Sequence, residues 1–329
     1  MTNIKKIGLT ALAASLVSTS VFAGEVTVKG SAKMTVEGYS GTAQNAGKGF
    51  SMGNQLTFTG GGELDNGLQV DISFVLDQGD DSTTVGAAAA TPINSTSPFD
   101  SHSVKISSDA LGSLTMHGEG GSNSAAALDT TAAGDIWDTF DGTTSGTKVK
   151  ASTSGSDLLV YTLPEMVDGL AVAASYSPQE AAAASSTAYS LTYTGVEGLS
   201  VSYGKGDAET GVSTTEADQT VTKASYAWNS FTVAYSNNDY STAVASKDQE
   251  TTSYKLSYTV SDAISVSYGE ETIDEEGDAL DAEYEGVEAS YTAGGMTVTA
   301  KHQSSTDALH STAVAEDRDY WSLGLAFAF

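Results

Sequence analysis

The stretch Tyr320-Trp321-Ser322-Leu323-Gly324-Leu325-Ala326-Phe327-Ala328-Phe329 decides the fold. Large apolar side chains at 321, 323, 325, 327 and 329 alternate with smaller neighbours and the stretch ends on an aromatic. That is the two-residue period of a strand with one greasy face and one bland face. In water the greasy face would need a second layer, yet the remaining chain offers no helix or continuous apolar strand to supply one. A lipid bilayer is the cheaper cover, and a membrane-facing strand is the expectation.

The N-terminal residues agree with an exported, membrane-bound product. Lys5 and Lys6 precede an apolar run from Ile7 to Val21 that is too short to span a bilayer, and Val21-Phe22-Ala23 ends on the small residue a signal peptidase needs. Residues 1–23 therefore read as a cleaved secretory signal and 24–329 as the mature domain. Of the 14 basic residues two belong to the signal, which leaves 12 against 42 acidic ones and a net charge of −30. This balance excludes a nucleic-acid groove, which needs a basic face. It suits divalent cations, cationic solutes or a saline medium as partners of the acidic surface. There is no cysteine, so no disulfide supports the fold and no thiol chemistry is available.

After the signal no window of about 18 apolar residues exists that could form a transmembrane helix. The two-residue beat recurs instead. Val26, Val28, Gly30, Ala32, Met34 and Val36 share one face of the first segment, with Lys29, Lys33 and Glu37 on the other. The beat returns from Leu68 to Leu76, Leu170 to Tyr176, Leu199 to Tyr203, Phe231 to Tyr235, Tyr254 to Val260 and Ile264 to Tyr268. Short turns fall at 65–67, 109–112, 167–169, 196–198, 229–230, 261–263 and 293–295, several with the Gly or Asn/Asp of a tight hairpin. Long polar loops are expected at 40–49, 78–99, 120–147, 178–187, 205–219, 237–250, 270–282 and 303–317. Those fifteen connections imply sixteen strands.

An even number of antiparallel strands, with short turns on one rim and long loops on the other, is the plan of a transmembrane β-barrel. Closure removes the unpaired edges that hydrocarbon penalises by several kcal/mol per group, and sixteen strands leave an aqueous channel. Tyrosine recurs at apolar segment ends (Tyr176, Tyr193, Tyr203, Tyr235, Tyr258, Tyr268, Tyr291), with Trp228 and Trp321 placed similarly. Such positions suit interfacial girdles; a plain strand preference of tyrosine would not explain the placement.

With the signal, the Gly24-Glu25-Val26-Thr27-Val28-Lys29-Gly30 start and the terminal Phe329, the mature chain resembles the general porins of Gram-negative outer membranes, closest to the alphaproteobacterial type. Asp157-Leu158-Leu159-Val160-Tyr161-Thr162-Leu163-Pro164 followed by Gly169-Leu170-Ala171-Val172-Ala173-Ala174-Ser175-Tyr176 looks like the strand-turn-strand pair that follows the constriction loop in that family. The resemblance implies an all-β, 16-stranded antiparallel barrel with short periplasmic turns and long extracellular loops, the third of them, about 120–147, folded into the pore. It also implies a homotrimer embedded in membrane lipid and lipopolysaccharide, with Phe329 read by the barrel-assembly machinery. The implied function is passive diffusion of small hydrophilic solutes across the outer membrane.

In the family, loop carboxylates face a ladder of basic residues. Here the loop offers Asp129, Asp135, Asp138 and Asp141, but the chain has a single arginine, Arg318, expected near the end of the last loop, and Val160 stands where relatives often carry one. Lys29, Lys33, Lys105, Lys148 and Lys150 are the candidates for the basic wall, with Lys301 a further one. Asp135, Asp138 and Asp141, spaced by three, read either as a calcium site with loop carbonyls or as a solvated acidic rim; no other cofactor is implied. The cluster Glu270, Glu271, Asp274, Glu275, Glu276 and Asp278 reads as a solvated outer loop.

No enzyme is expected. His102, His117, His302 and His310 are scattered without zinc spacing, although His117 alternates into the lumen. Gly60-Gly61-Gly62 precedes no helix that would make it a phosphate cradle. The charge count favours cations in the pore. A substrate-specific channel of the same fold, or a secreted acidic β-rich adhesin or calcium-binding structural protein, are the competing readings.

Overall fold

The computed structural model describes residues 26–41, 47–77, 99–140, 149–152, 154–178, 185–208, 216–244, 247–308, 310 and 317–329. The signal segment, Asp141 and Lys148 lie outside them.

The strands alternate in direction along the chain: β1 (Thr27–Gly41), β2 (Gly47–Glu63), β3 (Gln69–Asp77), β4 (Ser101–Ser108), β5 (Gly112–Glu119), β6 (Gly121–Ser122), β7 (Ser154–Gly155), β8 (Leu158–Thr162) and β9 (Leu170–Ser177). They continue as β10 (Ser186–Tyr193), β11 (Leu199–Ala208), β12 (Ala217–Trp228), β13 (Phe231–Thr242), β14 (Gln249–Ser261), β15 (Ile264–Glu275), β16 (Ala282–Ala293), β17 (Met296–Thr306) and β18 (Arg318–Ala328). Sixteen of them close an antiparallel barrel in which neighbours in chain order pair, β5 joining β8 across the inserted segment, and β18 returns to β1. The short β6 and β7 pair only with each other and tie off the neck of the segment between them. The expected barrel is thus present, and the adhesin reading has no sandwich to rest on.

Alternation fixes the two faces. On β18, Trp321, Leu323 and Phe329 point outward and are 39%, 46% and 75% exposed, while Arg318, Tyr320 and Ser322 point inward and are buried. Their cross-strand partners continue the outer face: Leu323 lies opposite Val36, and Leu325 opposite Met34. Among the described residues no second protein layer covers the outer band, and a bilayer supplies the burial that such an apolar area requires. Aromatic rings edge the band. Phe231 and Tyr258 meet at 4.8 Å near the short turns, and Tyr235 and Tyr254 at 5.2 Å toward the loops.

All seven short turns fall at strand junctions. Asn229 takes a positive φ of 54° at the two-residue β12–β13 hairpin, a conformation that asparagine tolerates.

Several loops are shorter than the sequence suggested. β11, β13, β15 and β17 run on to Ala208, Thr242, Glu275 and Thr306, so the expected loops at 205–219, 237–250, 270–282 and 303–317 begin late. The reason is physical: above the apolar band the outward residues turn polar, as with Asp239, Glu250 and Asp274, which neighbour one another across β13–β15. The pairing continues although the apolar signal has stopped. The acidic cluster is corrected accordingly. Glu270, Glu271, Asp274 and Glu275 stand on β15, only Glu276 and Asp278 lie beyond it, and Glu271 points inward and is 1% exposed.

Packed side chains inside the barrel belong to the segment that enters it. Ile136 and Phe140 of that segment form one buried cluster with Ile273, Ala282, Tyr284, Ala308 and Tyr320 of the wall and the loop side.

Candidate constriction site

Residues 123–140 form a loop inside the lumen, built from two single-turn 3₁₀ helices, Ala126–Leu128 and Ile136–Thr139. Asn123 starts the first by accepting the N–H groups of Ala125 and Ala126 at 3.0 and 2.8 Å. Between the helices Asp135 sits in the left-handed region at φ 57°, held by a reciprocal pair: the Thr131 N–H donates to Asp135 Oδ1 and the Asp135 N–H donates to Thr131 Oγ1, both at 2.8 Å.

The barrel wall grips this loop through its main chain. Donors Ser124 N, Ala132 N and Ala133 N reach the hydroxyls of Ser175, Ser236 and Ser253 at 2.8–2.9 Å. Glu271 accepts the N–H groups of Ile136 and Trp137, one on each oxygen at 2.9 Å, and the Thr131 hydroxyl. Carbonyls of Thr130, Ala133, Thr139 and Phe140 accept from Lys223, Lys255, Tyr39 and Arg318. Close approach is permitted by glycine on the wall: a Cβ at Gly269 would lie 2.6 Å from Ala133 Cβ.

The returning limb is held the same way. Gln249 and Gln219 accept from Lys150 N and Ser152 N at 2.7 Å, and Asn238 donates to the Lys150 carbonyl at 2.9 Å. The loop therefore lies along β9–β18 and reaches β1. The inward face of β2–β5 carries a polar recess of about 420 Å³ lined by Thr59, Asp71, Ser73, Ser103, Lys105 and Thr115 among others.

The sequence candidates divide along this line. Lys29 and Lys33 are exposed on the inward face of β1, opposite Thr57 and Gly53, and Lys105 stands on β4 directly across from Asp71. Lys150 is instead committed to the loop's own side: its ammonium lies 3.1 Å from Glu275 and donates to the Lys247 carbonyl at 2.9 Å. Lys301 pairs with Glu288 at 3.2 Å. His117 and Val160 both occupy inward positions, beside Ser103 and Thr115 respectively.

On the loop Asp138 is exposed, whereas Asp129 and Asp135 are half-buried. Burial and the neighbouring Asp135 charge push the Asp129 carboxyl up to about 6, with the Lys223 ammonium opposing them. Calcium coordination would need Asp135, Asp138 and Asp141 together. Asp141 lies outside the described residues, Asp135 Oδ1 already accepts from Thr131, and among the described residues no three His, Cys, Asp or Glu side chains are placed to hold an ion.

Arg318 stands where the last loop ends, as the first residue of β18; it points inward, is buried, and donates to the Phe140 carbonyl at 3.3 Å. Glu271, Lys223, Lys255 and the wall amides and hydroxyls were not recognised from sequence. Extending each strand's period would have found them, because Lys223, Lys255 and Glu271 are out of phase with the outward Tyr226, Tyr254 and Tyr268.

Comparison with known proteins agrees with this geometry. The family model for Gram-negative porins matches residues 8–284. No curated protein matches the chain. Among solved structures, an anion-selective porin from Comamonas acidovorans superposes with a TM-score of 0.67 at 15% identity, covering 93% of this chain and 100% of that one. A double mutant of the Rh. blastica porin gives 0.65 at 15% identity and a triple mutant of the Rhodopseudomonas blastica porin 0.63 at 16%, each with the same coverage. The closed sixteen-strand barrel with its internal loop and the match over most of its length agree, and the chain belongs to the Gram-negative porin family of outer-membrane channels.

Proposed function

We propose that this porin supports passive diffusion of small hydrophilic solutes and ions, sorted by size at the constriction loop and by the charges around it. The observation that carries the reading is the loop bound inside a closed barrel beside a polar wall at β2–β5 that keeps an open recess among the described residues. The proposed selectivity is a weak preference for cations, on a narrower basis than the charge of the whole chain. Much of the acidic excess faces outward above the apolar band, as at Asp239, Glu250 and Asp274, where it cannot line the filter. The preference rests instead on Asp129, Asp135 and Asp138.

Planar-bilayer recording tests both parts. Stepwise conductance is expected, with a cation-side zero-current potential in a gradient centred on 0.1 M salt, weakening toward 1 M as the Debye length falls from about 10 Å to about 3 Å. Converting Asp129, Asp135 and Asp138 to Asn should move that potential toward anions while the barrel still folds, since Asn tolerates the left-handed conformation at 135 and keeps its acceptor. An anion-selective wild-type channel would show that the lysines of β1 and β4 govern the filter.

Homotrimeric assembly in a lipopolysaccharide-containing membrane completes the proposal. The outer face of β1–β5 supports it, being apolar through Met34, Met52, Ile72, Val104 and Met116, all at least 43% exposed. Cross-linking in mild detergent should capture trimers; monomers alone would count against it.

A further inference from the structure

Lys223 stands behind the constriction loop rather than across the pore from it. On β12 the inward positions run Ala217, Gln219, Val221, Lys223, and Gln219 and Val221 are fully covered. Lys223 is the next inward residue, half-buried, and its Nζ donates to the carbonyl of Thr130. Thr130 is bonded on one side to Asp129 and on the other to Thr131, whose N–H is held by Asp135. The ammonium is thus fixed beside both half-buried loop carboxylates, and its charge acts on each of them.

We infer that Lys223 determines selectivity: its positive charge, applied from the rear of the loop, cancels much of the field that Asp129 and Asp135 project into the open lumen. This rests on the diffusion-channel reading and deepens it. One ammonium beside two carboxylates leaves a single net negative charge, so the field they project into the lumen is about half that of the uncompensated pair. Asp138, exposed on the loop, is then the carboxylate the solute meets most directly. A tether alone would be a redundant role, because Ser236, Ser253 and Glu271 already hold residues 131–137.

The test uses the full-length protein in planar bilayers at pH 8, where Asp129 is ionised, with potassium chloride gradients. Lys223→Gln should raise the cation-to-anion permeability ratio by about twofold at 0.1 M salt, and less at 1 M. Lys223→Arg should leave the ratio at its wild-type value. Asp129→Asn should move it the opposite way, and the Lys223→Gln/Asp129→Asn double variant should return close to wild type, because the removed charges offset each other. An unchanged ratio in Lys223→Gln, or a larger conductance without a change in ratio, overturns the inference and leaves Lys223 as a tether. A failure of the channel reading looks different: wild-type protein would then show no stepwise conductance.

Discussion

Replacing Glu271 by alanine is expected to detach the constriction loop and enlarge the pore, with the barrel itself still assembling. Three loop donors, the N–H groups of Ile136 and Trp137 and the Thr131 hydroxyl, converge on this one carboxylate. Hydrogen bonds to a charged acceptor contribute about 1.5–3 kcal/mol each, and donors left buried without partners cost more. No single hydroxyl contact elsewhere along the loop offers that much. Glutamine should rescue only in part: it keeps one acceptor oxygen but turns an NH₂ group toward a donor. The strand ladder around Glu271, paired to β14 and β16, needs no side chain at this position. Single-channel conductance should rise and liposomes should admit larger sugars, so an unchanged exclusion limit in folded Glu271→Ala would show that the remaining contacts suffice.

The second large effect is expected at the seam where the barrel closes. Gly30 and Phe329 exchange two main-chain hydrogen bonds, at 2.7 and 3.0 Å, and the Phe329 ring lies over Gly30 so closely that a Cβ there would come within 2.3 Å of it. The β1–β18 ladder continues from Ser31 opposite Ala328 to Gly41 opposite Arg318. Deleting Phe329, or converting Gly30 to valine, opens the short-turn end of this ladder and leaves backbone groups unpaired at the seam, which a membrane makes costly. Outer-membrane levels and the heat-resistant folded form should drop sharply, while the few channels that do insert keep wild-type conductance. Normal surface levels of the truncated protein would refute this, and altered conductance with normal levels would place the terminus in the pore instead.

These two regions were unequally legible in the sequence. The seam is written in side chains whose only demand is burial, so Trp321, Leu323 and Phe329 announce a period that lipid enforces directly. Glu271 announces nothing. It sits among Glu270, Asp274 and Glu275, and in a chain this acidic a run of carboxylates reads as solvated surface unless the strand phase set by Ile264, Val266 and Tyr268 is carried past the apolar band. The same extension would have turned Lys223 and Lys255 inward. Lys29, Lys33 and Lys105 stand on the inward face of β1 and β4, where the alternation is easy to follow because these strands keep apolar partners along their length. Lys150 follows no strand period; its pairing with Glu275 depends on how the returning limb is folded, which only the three-dimensional path reveals.

The way the wall holds the loop has an evolutionary consequence. Serine, glutamine, glutamate and lysine side chains of the barrel recognise amide and carbonyl groups of the loop, and every residue type except proline brings the same amide. Positions such as Leu128, Thr130 and Asp138 can therefore change identity without giving up the loop's seat. A scaffold of this kind lets selection or an engineer write new chemistry on the loop inside the channel while the instructions for folding stay in the strands.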